Sequence, residues 1–332
     1  MDKPSHALDL SRWRETPRGV GYRRWTIVVA GLREVFRTRF AKALLSVAWT
    51  GGLLIAVLGF AFSQSVANGG WLQDLAVRAG PRFEAMFSVV VGLVAMFPDI
   101  IVHGVFTAIF WAHSYLGLWL SLIALSTVVP QLITRDRASN ALLVYLARPL
   151  TSVDYLLGKL GIIVGVIVAV WTGPLLLGWL LSMVFATDRD FIVHSFEPLL
   201  RALAFNGLAL VVLAAVALGA STLGRRAPTT IALWMLLWIG LGVASSAPRA
   251  PLWIKRASPT RDLGEVRQEF FRFDTALANA ATKLPLLDQR AVGNVAGAAK
   301  RVAATDFNGA LGALGVMTLL SSWVFFRKLR PE

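Results

Sequence analysis

The chain of 332 residues contains no cysteine. That absence excludes disulfides, thiolate metal sites and cysteine nucleophiles together, and leaves the redox compartment open. Charge is scarce too: Asp, Glu, Lys and Arg make up 16% of residues against 56% hydrophobic ones, and mean hydropathy is +0.63. A soluble chain with so few charges could not cover its own core. Also missing is any GxxxxGK[ST] loop, whose backbone amides and lysine would hold nucleotide phosphates. Ser, His and Asp occur without an arrangement suggesting a catalytic triad.

What is present is a set of long apolar blocks: Leu44–Phe62, Val105–Val129, Leu160–Phe185, Leu199–Leu223, Ile231–Ala247 and Phe307–Phe326. Each suffices to cross a hydrocarbon core of roughly 30 Å, which takes about 20 helical residues. The expected fold is an all-α polytopic membrane protein. A single six-span domain covers residues 21–326, after a disordered lead over 1–20 and before a short tail over 327–332. Met86–Phe97, closed by Pro98 and Asp99, is too short to cross alone and reads as an interfacial or re-entrant helix. Ser65-Val66-Ala67 faintly resembles a signal-cleavage site. The apolar stretch before it is too long for a signal h-region, so the first block is kept as a span.

Positive charge orients such a chain. Lys3 to Lys42, Arg135 to Lys159, Arg225, Arg226 and the tail Arg327, Lys328 and Arg330 carry most of it, whereas the short alternate connections carry Arg78, Arg82 and Arg189. Both termini are therefore expected in the cytoplasm. The long outer connection 248–306 is basic as well, but connections of that length translocate largely regardless of charge. The net charge of +14 is thus mainly an inner collar. No basic patch with interleaved aromatics sits on a foldable soluble segment, so nucleic acid is not the expected partner.

Trp25, Val28, Val29, Leu32, Val35, Phe36 and Phe40 share one helical face, with Arg33, Glu34 and Arg37 elsewhere. A basic amphipathic helix with Trp beside a span is expected to lie in the interface; the alternative is that it extends the first span inward. In the outer connection, Leu263, Val266, Phe270, Phe273, Leu277, Ala281 and Leu284 predict a helix that stops at Pro285. An Ala-rich second helix is expected over Asp288–Ala304. The pair would form a structural cap, or else a lid or docking surface. Gly161 and Gly165 make one GxxxG, which permits close packing and is weak evidence for a dimer face.

The spans are nearly free of charge: Lys42, Arg201 and Asp306 lie near ends, and His113 is the histidine well inside. Ion-coupled carriers usually hold relay groups there. Any transport cycle would then draw its energy from outside the bilayer. Asp99 and His103 at i, i+4, with His113 further on, could hold a divalent ion, but such residues are more commonly interfacial polar groups, and no metal or cofactor is assigned to the chain. Trp111, His113, Trp119, Trp171, Trp179, Trp234 and Trp238 could line a substrate path; the alternative reading is packing and interface anchoring.

The most informative segment is Thr134–Lys159, TRDRASNALLVYLARPLTSVDYLLGK. Ser139 or Asn140 can cap a short helix through Leu146, and Pro149 sits just past its end. Thr151 to Asp154 has capping-box spacing and can start the helix of the third span. A short helix held between two spans can pass rigid-body motion from a soluble partner into the bundle.

This segment resembles the connection after the second span in permease subunits of type-2 ABC transporters. There an acidic residue and a short Gly-Thr-Leu-Glu-like helix precede Arg-Pro-Leu-Ser/Thr, an aromatic and Gly-Lys. Asp136 fits the acidic position and Leu142 and Leu146 the apolar ones; Arg148-Pro149-Leu150-Thr151, Tyr155 and Gly158-Lys159 match the rest. Asn140-Ala141 replace the Gly-Thr and Leu143 the Glu, which puts that Glu's partner contact in doubt. The resemblance extends loosely to the six-span layout. The long outer connection looks more like the subgroup linked to multi-copper enzyme maturation.

What the resemblance implies is an exporter with two permease chains, here a homodimer, and two cytoplasmic ATPase subunits. The partner ATPase would bind ATP and Mg, and the chain itself would not be an enzyme. The ATPase contact would involve Asp136, Arg137, Asn140, Leu142, Leu146, Arg148, Pro149 and Tyr155, with Lys159 snorkelling to the inner interface. The competing expectation is a membrane scaffold or assembly factor working through its outer helices; a secondary carrier stands third.

Overall fold

The computed structural model describes residues 19–66, 71–134, 152–184, 186, 189–224, 226–272 and 306–329. Among these residues every regular element is helical. Six helices are long and apolar enough to cross a membrane: Arg39–Gln64, Asp99–Thr134, Val153–Val184, Phe191–Leu223, Ala227–Ser246 and Phe307–Arg327. They are called spans 1 to 6. The chain is an all-α polytopic membrane protein, and each expected block falls within one span or overlaps nearly all of it.

The elements run α1 (Val20–Arg37), α2 (Arg39–Val66, span 1), α3 (Trp71–Ala79), α4 (Pro81–Met96) and α5 (Pro98–Val129, span 2). Span 3 is α6 (Ser152–Ile167) and α7 (Gly173–Val184), and span 4 is α8 (Arg189–Leu223). Span 5 is α9 (Ala227–Met235) and α10 (Leu241–Ser246). Then come α11 (Leu252–Arg256), α12 (Pro259–Phe271) and α13 (Phe307–Leu329, span 6). Of the segment 86–97, residues 86–96 belong to α4, which follows α3 across Gly80, a glycine at φ 110° where a side chain would be strained.

The spans differ in length for a structural reason. Span 2 has 36 residues and span 4 has 33, whereas span 5 has 20 and span 6 has 21. Thr134, at the end of span 2, donates to the Ser221 carbonyl at 2.9 Å and lies 3.1 Å from the Thr230 hydroxyl. Spans 2, 4 and 5 therefore meet at this face, which is called proximal. At 1.5 Å per residue, spans 2 and 4 are roughly 20 Å longer than span 5; the opposite face is called distal. Near the distal ends of spans 2 and 4, Glu197 pairs with Arg201 and lies 3.7 Å from His103. Polar groups that read as isolated near span ends thus form one cluster.

Three spans contain a π-helical turn: Pro130–Thr134, Val168–Thr172 and Leu236–Gly240. In span 3 the cause is visible. Gly173 donates five residues back to Val168, and Pro174 has no N–H with which to continue the ladder. The freed carbonyl of Ala169 takes the indole N–H of Trp49 at 3.1 Å, so span 1 is bonded to the defect in span 3. The two spans pack closely just beyond it. A Cβ on Gly52 would lie 2.6 Å from the Pro174 carbonyl oxygen, and one on Gly178 would lie 2.5 Å from that of Gly52.

The N-terminal helix is distinct from span 1. Thr38 has extended backbone (φ −72°, ψ 143°) and separates the two. Its hydroxyl donates to the Val35 carbonyl at 3.1 Å and accepts from the Ala41 amide at 3.2 Å, closing one helix and opening the next. The face carrying Ile27, Val28 and Leu32 is laid on the proximal part of span 3. A Cβ on Gly158, Gly161 or Gly165 would come within 2.8, 2.5 and 2.7 Å of those three residues respectively. The GxxxG at Gly161 and Gly165 is therefore occupied from within the chain, by α1. Trp25 remains 63% exposed, as suits an interfacial anchor.

At the distal face, α12 begins with Ser258 accepting from the Arg261 amide at 3.4 Å and Pro259 in the first turn. Leu263 and Val266 are fully buried, as their spacing predicts. The helix ends earlier than the sequence pattern suggests. Arg272 adopts a left-handed conformation (φ 45°, ψ 37°), and this breaks the period before Pro285. Phe273, Leu277, Ala281 and Leu284, with the second expected helix, lie outside the described residues.

Candidate functional site

Between spans 2 and 3 the described residues end at Thr134 and resume at Ser152. Asp136, Arg137, Asn140, Leu142, Leu146, Arg148 and Pro149 lie outside the described residues; Tyr155 and Lys159 lie within them. Both flanks of the connection are firmly held. Thr134 is tied to spans 4 and 5 by the two contacts given above. On the returning side Tyr155 is buried, and its hydroxyl donates to the Leu132 carbonyl at 3.2 Å. One residue earlier, buried Asp154 accepts from Arg24 of α1, at 2.7 Å from Nε and 2.5 Å from Nη2.

The sequence pattern gave Asp154 a capping role; the structure adds the Arg24 guanidinium as its long-range partner. A displacement of the connection would pull on α1 through Asp154, on span 2 through Tyr155, and on spans 4 and 5 through Thr134. Lys159 lies one turn further along, its ammonium 5.3 Å from the centre of the Tyr155 ring.

A cavity of about 380 Å³ opens beside these anchors, lined by residues of α1, the end of span 2 and the start of span 3. Thr26, Glu34, Gln131 and Lys159 supply its polar walls, and Ile27, Val35, Val128, Leu132 and Ile162 its apolar ones.

The aromatic residues proposed for a substrate path divide into several environments. Trp119 is 45% exposed and lines a second cavity together with buried Trp238. Trp171 is buried against Phe205, with ring centres 5.9 Å apart, and its carbonyl accepts from His113 Nε2 at 3.3 Å. The Nε2–H tautomer of His113 follows, because a carbonyl only accepts. Trp234 stacks at 5.5 Å on Trp238 and donates to the Leu122 carbonyl at 3.1 Å. Trp179 donates to the Ser195 hydroxyl at 3.1 Å, and Trp111 meets Tyr115 edge-on at 5.0 Å. Trp171, Trp179, Trp234 and His113 thus make contacts from one span to another, whereas Trp111 meets a residue of its own span.

The distal face holds a charged clamp that sequence reasoning missed. Arg256 donates to Asp262 at 3.0 Å, Glu265 at 2.8 Å and Asp306 at 2.8 Å, fixing α11 and α12 to the start of span 6. Arg261 pairs with Glu265 at 3.1 Å, and that i, i+4 spacing was the one local signal available. Burial works against the Arg256 cation, but its bonds to Glu265 and Asp262 outweigh burial and hold its pKa above the ordinary value. Asp262 is fully buried, and there desolvation wins over Arg256, pushing the carboxyl up to about 6.

Arg267, on the same helix, is buried with its guanidinium 3.6 Å from the centre of the Tyr115 ring and 5.4 Å from that of Phe205. Burial lowers its pKa, and Tyr115 opposes the shift. Ring faces take the place of a carboxylate partner for this cation.

No family model matches the chain, and no curated protein matches it.

Proposed function

We propose that the chain is the membrane-spanning permease subunit of an ATP-driven ABC exporter in a bacterial inner membrane, with the proximal face and both termini in the cytoplasm. Two copies would work with two cytoplasmic ATPase subunits, and ATP and Mg would be bound by those partners. The observation that supports this reading is the anchoring of the residues that flank 135–151: Thr134 is tied to spans 4 and 5, and Asp154-Tyr155 to α1 and span 2. A partner that moves the connection therefore moves several helices at once, as energy delivered from outside an almost uncharged bundle requires. The sequence of that connection, with Arg148-Pro149-Leu150-Thr151 and Gly158-Lys159, is the reason for naming an ABC ATPase as the partner.

The test is purification from native membranes in mild detergent. A P-loop ATPase is expected to co-purify, and ATP hydrolysis by the complex should rise when the permease is present. Recovery of the chain without any ATPase, or ATPase activity indifferent to it, overturns the reading. Recovery with an enzyme exposed at the distal face instead would favour an assembly factor.

A further inference from the structure

We propose that α12 is a hinged lid at the distal face, whose second half, from Val266 to Phe271, swings away from spans 2 and 4 and opens the bundle to that side. The inference needs only the packing of this helix; it holds whether or not the chain serves a transporter.

The inward face of α12 is mixed. Its buried residues are Pro259, Asp262, Leu263, Val266, Arg267 and Phe271, so two groups of opposite charge share the face with apolar ones. Asp262 gives one oxygen to Arg256 at 3.0 Å, but its Oδ2 is buried without a hydrogen-bond partner. Arg267 is further from satisfaction. No carboxylate pairs with it among the described residues, and Nε and Nη1 are both buried without a hydrogen-bond partner.

A buried donor whose bond is unmade costs the desolvation of that group, and lifting the helix returns it to water. Burial of Val266 and Phe271 acts in the opposite direction. The docked position of this half is therefore a balance of opposed contributions, a property of segments that open locally.

The two halves of α12 are held differently. The first is bonded to the bundle: Thr260 donates to the Trp238 carbonyl at 3.2 Å and Arg261 to the Ser245 carbonyl at 3.4 Å, and Arg256 holds Asp262 and Glu265. A Cβ on Gly242 would lie 2.7 Å from the Thr260 hydroxyl, so span 5 is pressed against this end. The second half meets the spans through rings. Arg267 lies over Tyr115 of span 2 at 3.6 Å, and Phe271 and Phe270 face Phe205 of span 4 at 6.0 and 6.3 Å. The hinge therefore belongs to the first half and the motion to the second.

Beneath the second half the rings continue into the bundle. Phe205 also meets Trp171 of span 3, with ring centres 5.9 Å apart, and His113 donates to the Trp171 carbonyl. Opening would bring this aromatic layer to the distal face.

The absence of cysteine from the chain makes the test direct. Val266→Cys samples the second half, Leu263→Cys the first and Val166→Cys the interior of span 3; all three positions are fully buried. The full chain in nanodiscs is labelled with a charged maleimide, and the rate reports how often each site opens. Val266→Cys should react faster than Leu263→Cys, and Val166→Cys should not react on the same timescale. Arg267→Met keeps the reach of the side chain but removes its buried donors. It should slow labelling of Val266→Cys roughly tenfold, the size of one unmade hydrogen bond. Tyr115→Leu removes the ring that holds the cation and should speed that labelling several-fold. Opposite signs in the two backgrounds, with Val166→Cys unchanged in both, separate lid motion from general unfolding. Equal rates at 263 and 266, or a Val266→Cys rate that Arg267→Met leaves unchanged or raises, overturns the proposal. If Arg267→Met unfolds the chain, read as labelling of Val166→Cys, then Tyr115→Leu decides, and no acceleration there overturns it.

Discussion

Arg24 on the N-terminal helix and Asp154 at the start of span 3 meet at 2.5 Å although 130 residues separate them. The carboxylate side chain is 6% exposed and the guanidinium 42%, so loss of the two partners is unequal. Arg24→Ala takes a cation from a buried carboxylate, whereas Asp154→Asn leaves a neutral group that still accepts a hydrogen bond. The exposed cation is screened by solvent, so we expect Arg24→Ala to cost about 1–2 kcal/mol and Asp154→Asn less. Thermal unfolding in detergent should rank them in that order. Hydrogen exchange should show the loss concentrated in α1.

The bond from Trp49 to Ala169 exists because Pro174 leaves a carbonyl unpaired. Trp49→Phe should destabilise the protein by about 1 kcal/mol, the net worth of one hydrogen bond. In a Pro174→Ala background the backbone can supply its own N–H, and the same Trp49→Phe change should then cost markedly less. A double-mutant cycle measured by thermal unfolding reads the difference. Additivity would show that the π turn has another cause.

Gly178 and Gly312 should respond oppositely to alanine. At Gly178 the new methyl would lie 2.5 Å from the Gly52 carbonyl oxygen and 2.9 Å from Ile55 Cβ. Backbone on the far side cannot yield without parting spans 1 and 3, so a loss of about 1–3 kcal/mol is expected. Gly312 has nothing within 4 Å of its would-be Cβ, and alanine there should stabilise span 6 by roughly 0.5–1 kcal/mol. Unfolding temperatures of the two variants should move in opposite directions.

Asp262 gives the stability a pH dependence of unusual sign for a carboxylate. Burial raises its folded-state pKa from 3.8 to about 6, so the folded protein holds this proton more tightly than the unfolded chain does. The stabilisation is present in full below about pH 4 and is lost as pH rises through 6. It is on the order of 3 kcal/mol at 1.36 kcal/mol per unit. Between pH 4.5 and 7.5 the unfolding temperature of wild type should therefore fall relative to that of Asp262→Asn. Parallel curves for the two proteins would show that Asp262 titrates normally.

Tyr155 and Thr134 position the two flanks of the connection without lying in it. Tyr155→Phe removes the bond to Leu132, and Thr134→Val removes the two contacts to Ser221 and Thr230. In the proposed complex both should lower permease-stimulated ATP hydrolysis several-fold while the ATPase still co-purifies. Asp136→Lys or Arg148→Glu should instead dissociate or uncouple it. Unchanged stimulation in the first pair would remove these residues from the coupling path.

The six spans, and the amphipathic period of α1, were legible in the sequence because each depends on a local quantity: the length of an apolar run against the thickness of a bilayer, or the spacing of apolar residues around one helix. In α12 the apolar spacing was legible in the same way, although it ran past the end of that helix at Phe271. What only the tertiary structure decided is which residues meet. Asp154 finds Arg24, the Gly161–Gly165 groove receives α1 in place of a second copy, and Arg256 gathers two carboxylates of α12 and one at the start of span 6. Identical residue types also parted company: Trp171 is buried at the π turn of span 3, while Trp119 stays half exposed beside a cavity. Burial and partnership are set by packing between helices far apart along the chain, and for that reason neither the charge clamp nor the raised carboxyl of Asp262 could be read from the order of the amino acids.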